Sequence, residues 1–313
     1  MKRRRLIGYT EGLLISEPDG EERTLLYGED VVALASAPND PRLLLAGTYG
    51  RGVFRSTDGG ANWKPIRMGV DFVRTLVFSE HDPRVVYLGA EPAELFRSRD
   101  GGETWESLNL RRLPESPQWS LPYSPRGGAL RTIVLHPQDP LTLYGGIEQG
   151  GVVKSTDGGA NWKLDAAQIH KDVHFLSINP QQPETLLAAT GGGLFLSRDG
   201  AATWSRLIDD YTRAVLIDPL HPENALAGPA LDVGEGGRII QSRDGGETWK
   251  LESDGLHTPM DDMVEFFVID PEQPERLFAL CSDGALLESS THPLHWEPVH
   301  CGVEVQCLLF VDL

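Results

Sequence analysis

SRDGGETW, residues 98–105, decides the fold because it does not stand alone. STDGGANW occupies 56–63 and again 155–162, SRDGAATW occupies 197–204, and SRDGGETW returns at 242–249. Two eroded copies flank these five: SEPDG at 16–20, which has no tryptophan, and SSTHPLHW at 289–296, which has lost its aspartate and glycines. The seven starts, at 16, 56, 98, 155, 197, 242 and 289, lie 40 to 57 residues apart, the period of a four-stranded propeller blade. Six of the boxes are preceded by a second marker, a turn ending in Pro41, Pro83, Pro140, Pro183, Pro222 or Pro274. Each such turn separates two short runs rich in β-formers, as in RTLVF (74–78) and VVYLG (85–89), with no room for helices between them.

The pattern predicts an all-β, seven-bladed propeller of four-stranded antiparallel blades over residues 1–313. Blade 1 takes 1–28 plus 303–313, blade 2 29–68, blade 3 69–110, blade 4 130–166, blade 5 170–209, blade 6 211–253 and blade 7 262–300, with an insertion at 109–129. Residues before the second box supply only three strands of blade 1, and the orphan run 303–311 is expected to complete it, removing the open edges. Within each box the aspartate can accept hydrogen bonds from its own turn, the glycines supply positive φ, and the tryptophan buries a large ring. Asp58, Asp100, Asp157, Asp199 and Asp244, with Trp63, Trp105, Trp162, Trp204 and Trp249, therefore read as structural rather than catalytic.

Lys and Arg number 28 against 46 Asp and Glu, a net charge of -18 that repels nucleic acid and anionic membranes and favours neutral or basic partners. With 34 glycines, 22 prolines and 40% hydrophobic residues the chain is turn-rich and folded. The basic start at residues 1–5 leads into an apolar run that Glu11 cuts short, so neither a signal peptide nor an anchor is expected. Three cysteines without metal-ligand spacing fit reduced thiols in a cytoplasmic protein.

The S-x-D-G-G-x-x-W boxes resemble those of the Asp-box (BNR-repeat) propellers, and the resemblance covers nearly the whole chain. That group includes sialidases, xyloglucan-cleaving glycoside hydrolases, sortilin-type receptors and photosystem II assembly factors. Seven blades resemble the assembly factors and one half of a xyloglucanase. Sialidases of the group have six, and no F-R-I-P segment occurs here.

Aligning blades on the proline turn puts one residue of each at the start of the innermost strand: Cys307, Val32, Arg74, Arg131, His174, Arg213 and Glu265. Three arginines and a histidine at a channel mouth suit a small anion or a partner's acidic side chain. Aspartates nearby (Asp30, Asp71, Asp172) offer the alternative of a structural ion-pair network. The insertion carries Trp119, Tyr123 and Arg126, an aromatic and cationic mix suited to protein contacts or sugar stacking, or else a strap with its aromatics packed inward. Asp209, Asp261, Asp262 and Glu265 are the carboxylates a glycosidase reading would use. His170 and His174 straddle a loop-to-strand junction and His292 and His295 belong to the degenerate box, so no metal and no cofactor is expected. The reading is a monomeric recognition platform for a protein or peptide, alone or as part of a multi-subunit complex, with carbohydrate binding or hydrolysis as the alternative.

Overall fold

The computed structural model describes residues 3–164, 168–290 and 293–312. Met1 and Lys2 of the basic start, the end of blade 4 at 165–166, and Thr291 and His292 of the last box lie outside the described residues. The fold is an all-β, seven-bladed propeller, its seven sheets each of four antiparallel strands in the order A-B-C-D. By its contacts the chain divides into two compact units, Met1–Leu135 with Val303–Leu313, and His136–Gly302.

The A strands are Cys307–Asp312, Val31–Ala37, Phe72–Phe78, Ala129–Leu135, Val173–Ile178, Tyr211–Ile217 and Val264–Asp270, for blades 1 to 7. The B strands are Arg3–Tyr9, Asp40–Thr48, Val86–Glu91, Leu143–Glu148, Leu186–Thr190, Ala225–Ala230 and Gln273–Cys281. Several B strands are buried along their whole length, in keeping with VYLGA (86–90) and LLAA (186–189) reading as continuous apolar runs with no alternation. D strands such as Glu106–Ser107 and Lys250–Leu251 are short and exposed, as outer edges that must not recruit another chain should be.

Blade 1 closes as expected: Cys307–Asp312 pairs antiparallel with Arg3–Tyr9, from Arg3 opposite Asp312 to Gly8 opposite Cys307. The closing strand is shorter than the run 303–311 suggested, because residues 303–306 lead into it rather than join the ladder. Even so, Gln306 is tied in, its backbone N–H donating to the Gly8 carbonyl at 2.8 Å and its side-chain amide to Asp30 at 2.8 Å.

The two sequence markers meet in the structure. In blades 2 to 6 the first glycine of the box donates its N–H to the carbonyl of the residue after the turn proline: Gly59 to Arg42, Gly101 to Arg84, Gly158 to Leu141, Gly200 to Glu184 and Gly245 to Glu223, at 2.8–3.0 Å. The C-to-D hairpin is thus pinned to the A-to-B turn at the same end of its blade. Inside the box, Asp58 accepts from the Ser56 hydroxyl at 2.8 Å, the Asn62 backbone at 2.9 Å and the Asn62 amide at 2.8 Å. The Trp63 indole N–H donates to the Gly60 carbonyl at 3.1 Å, and Trp105 and Trp249 repeat the contact with Gly102 and Gly246. In blade 5, Ala201 takes the second glycine's place at a φ of 70°, and the Trp204 indole nitrogen is buried with no acceptor among the described residues.

One glycine role escaped the sequence reading. A Cβ on Gly8, Gly47 or Gly89 would collide with Val31, Val73 or Leu130, at the inner strand of the following blade, and one on Gly228 would collide with Val264. These B-strand glycines let adjacent sheets approach backbone to side chain.

Candidate functional site

A single backbone irregularity places the charged residues. In blades 2, 3, 5, 6 and 7 the ladder between strands A and B skips one residue, and the skipped residues are Val32, Arg74, His174, Arg213 and Glu265. Each is therefore a β-bulge, a device that re-aims a side chain near the end of a strand. They coincide with the positions the proline alignment singled out. Arg131 is the third residue of its A strand, and Cys307 opens its own with the thiol directed at the Val31 carbonyl, 3.5 Å away.

In the first unit the bulge arginine is held by a carboxylate that sequence reasoning missed. Glu91 ends strand B of blade 3 and is 1% exposed. Its Oε2 accepts from Arg74 (Nε at 3.0 Å, with Nη2 also bonded) and from the Tyr49 hydroxyl at 3.1 Å. Its Oε1 accepts from the Ser124 hydroxyl and from Arg126 Nε, both at 2.7 Å. Burial pushes this carboxyl up, but Ser124 and the two guanidinium groups outweigh it and hold it below its ordinary range. Arg126 also donates to the Tyr49 hydroxyl at 2.8 Å and stacks over Phe72, 3.8 Å from the ring centre, while Arg74 lies 4.5 Å over Tyr49.

Arg126 thereby anchors the insertion, and it does not extend toward solvent as a contact residue would. The insertion forms 3-10 turns at Leu110–Arg112 and Ser116–Gln118. Glu94 accepts the Leu110 N–H at 2.8 Å, and Leu110, Trp119 and Leu121 are buried. At 5% exposure Trp119 does not offer the contact area expected of it, because its ring is withdrawn from solvent. Tyr123 is 56% exposed, and Arg111 and Arg112 are exposed.

The second unit holds an analogous network. Arg213 Nε donates to the Tyr211 hydroxyl at 2.8 Å, that hydroxyl meets His174 Nε2 at 3.0 Å, and the Arg213 guanidinium pairs with Glu265. Burial pushes the Tyr211 phenol up. Asp172 lies 3.5 Å from His174 Nε2, and Glu148, Asp172 and His174 bring ligand atoms within 4.8 Å of one another, a donor set that suits a divalent cation. A second such group is Asp262, Cys281 and Asp283, where burial pushes the Cys281 thiol up to about 12, so a cation there would have to displace its proton.

The candidate acids are scattered in their roles. Asp209 is exposed and paired with Arg206 at 2.9 Å, Glu265 is committed to Arg213, and Asp261 is exposed. Asp262 accepts from the Ser282 hydroxyl and from the Asp283 N–H at 2.7 Å. Burial pushes the carboxyls of both Asp262 and Asp283 up. Ser282 and backbone N–H groups overcome this at Asp262, whereas Asp283 stays raised beside the Asp262 charge. The box aspartates are poor acid–base groups: hydrogen bonds from Asn62, Asn161 and Thr248 pull Asp58, Asp157 and Asp244 down to about 2, far from the working range of a general acid near neutral pH.

Residues 96–107, which contain the box of blade 3, match the BNR/Asp-box repeat family model. A search of the curated proteins finds no match. Among solved structures the chain is similar to the GH74 xyloglucanase from Xanthomonas campestris, at 18% identity and a TM-score of 0.74 over 93% of this chain and 52% of that one. It is similar to YCF48 bound to D1 peptide, at 17% identity and a TM-score of 0.64 over 90% of this chain and 87% of that one. YCF48 from Cyanidioschyzon merolae follows, at 14% identity and 0.65 over 97% and 90%. An ancestral GH74 enzyme gives 14% and 0.66, and this chain spans only 38% of its length. At such identities the likeness shows the fold alone, a β-propeller.

Proposed function

We propose that this chain is a non-catalytic platform that binds a protein or peptide on the side of its blades opposite the Asp boxes. The observation that supports this most is the fate of the charged residues at the A-strand bulges. Arg74 is tied to the buried Glu91 and Arg213 to Glu265, so these side chains build a rigid support rather than a separated acid and base. The similarity to YCF48 bound to D1 peptide supports a peptide partner, and three buried free cysteines fit a cytoplasmic setting. Asp262 and Asp283, whose carboxyls are pushed in opposite directions, favour the second reading, a glycoside hydrolase or carbohydrate binder.

A panel of chromogenic glycosides, run beside affinity capture from the native host, separates the two. The platform reading expects a stoichiometric protein partner and no turnover. Turnover that is lost in Asp262→Asn or Asp209→Asn would replace it with the hydrolase.

A further inference from the structure

Blade 6 makes its B-to-C connection as a hairpin over residues 231–237, in which Asp232 and Glu235 exchange backbone hydrogen bonds at 3.3 Å. The hairpin presents Leu231 and Val233 to solvent, 68% and 57% exposed. Backbone contacts pin it in that posture. The N–H of Gly236 donates to the Met260 carbonyl at 3.0 Å, that of Gly237 to the Asp262 carbonyl at 2.9 Å, and that of Gly234 to the Met263 sulfur at 3.1 Å. Gly236 sits at a φ of 70°, and a Cβ there would meet the Leu231 side chain at 2.6 Å. On the far side of the same connector, Ser282 donates its N–H to the Met263 carbonyl at 3.0 Å, which brings in the B-to-C turn of blade 7.

Around the two apolar side chains this surface gathers five carboxylates, of Asp232, Glu235, Asp261, Asp262 and Asp283, all but Asp262 exposed. Among the described residues, the basic side chains beside them include Arg238, which is paired with Asp210, and His257, whose Nδ1 faces the Pro259 carbonyl at 3.0 Å. Water is a poor solvent for the leucine and valine, and the crowded acids repel one another. A ligand that is both cationic and apolar relieves both at once.

We propose that this rim of blades 6 and 7 is a docking surface for a basic segment of a partner protein, with Lys or Arg side chains on the carboxylate ring and an apolar residue on Leu231 and Val233. The inference rests on the platform reading and names the chemistry of its partner.

Three short fluorescent probe peptides test it: one alternating Lys and Leu, one alternating Lys and Ser, and one alternating Glu and Leu. The Lys/Leu probe is expected to bind, to weaken steeply with salt, and to lose at least about tenfold in affinity against Leu231→Ser/Val233→Ser and against Asp232→Asn/Glu235→Gln. Both double variants change exposed side chains only, and circular dichroism checks that each is folded. The other two probes are expected to bind at least about tenfold more weakly. Equal binding of Lys/Ser and Lys/Leu, equal binding to the wild type and the Leu231→Ser/Val233→Ser variant, or no Lys/Leu binding at all would overturn the proposal. If it fails while a captured partner still protects other inter-blade connections from hydrogen exchange, the platform reading stands without it. If it fails alongside glycoside turnover, both fall.

Discussion

A chain ending at Gly302 is expected to lose cooperative folding. The missing segment is the inner strand of blade 1, and it buries Val305, Cys307, Leu308, Phe310 and Val311. At about 1.5–3 kcal/mol for each large apolar side chain, that burial is on the order of 10 kcal/mol, comparable with the whole stability of an ordinary domain. The loss also exposes the length of strand Arg3–Tyr9 as an unpaired edge and frees Asp30 from its Gln306 partner. The check is a circular-dichroism melt of soluble truncated protein beside full-length chain, with a synthetic peptide of residues 303–313 added back. Aggregation or a broad transition, sharpened by the peptide, is the expected result. A truncated chain melting at the full-length midpoint would show that the closing strand is dispensable.

Glu91→Gln is expected to be the most damaging single charge change. The amide keeps the shape of the carboxylate but leaves Arg74 and Arg126, both largely withdrawn from water, without their anion. Removing one partner of a buried ion pair costs about 3–5 kcal/mol, because the remaining charge stays desolvated. The effect should be read twice, as a lower unfolding midpoint in denaturant and as faster proteolysis within residues 109–128, which Ser124 and Arg126 tether to Glu91. Adding Arg126→Ala to Glu91→Gln should cost less than the two changes separately, since the double variant no longer strands that charge. The carboxyl is held below its ordinary range, so its contribution is complete above that range and is lost as pH falls through the lowered value. Above about pH 5 the difference between wild type and Glu91→Gln should therefore be flat, and it should shrink in acid.

The repeat was legible because its parts are local. Each box folds on itself, and one hydrogen bond joins it to a proline turn about twenty residues earlier, so period and phase are both written in the linear order. The bulge positions were legible for the same reason, as a fixed offset from that turn. What holds them was not. Glu91 stands at the end of an apolar run before Pro92 and meets Arg74, 17 residues back, and Arg126, 35 residues ahead, through the fold alone. Trp119 and Tyr123 look equivalent in a proline-rich loop, and only packing decides that the first is buried and the second exposed. The spacing glycines Gly47 and Gly89 carried a signal in principle, since each sits at the same place in its B strand, but their reason lies in the next blade. Nothing local in the sequence marks Leu231 and Val233 as exposed; the hairpin turns them outward.

In the proposed function each blade has one end riveted by its box and an opposite end that recognises the partner. Hydrogen exchange of the chain alone and with its captured partner measures that division directly. Protection should appear in the B-to-C and D-to-A connections, residues 231–237 and 256–263 among them, and leave the box hairpins at 56–63, 98–105 and 155–162 unchanged. Protection centred on those hairpins would contradict it.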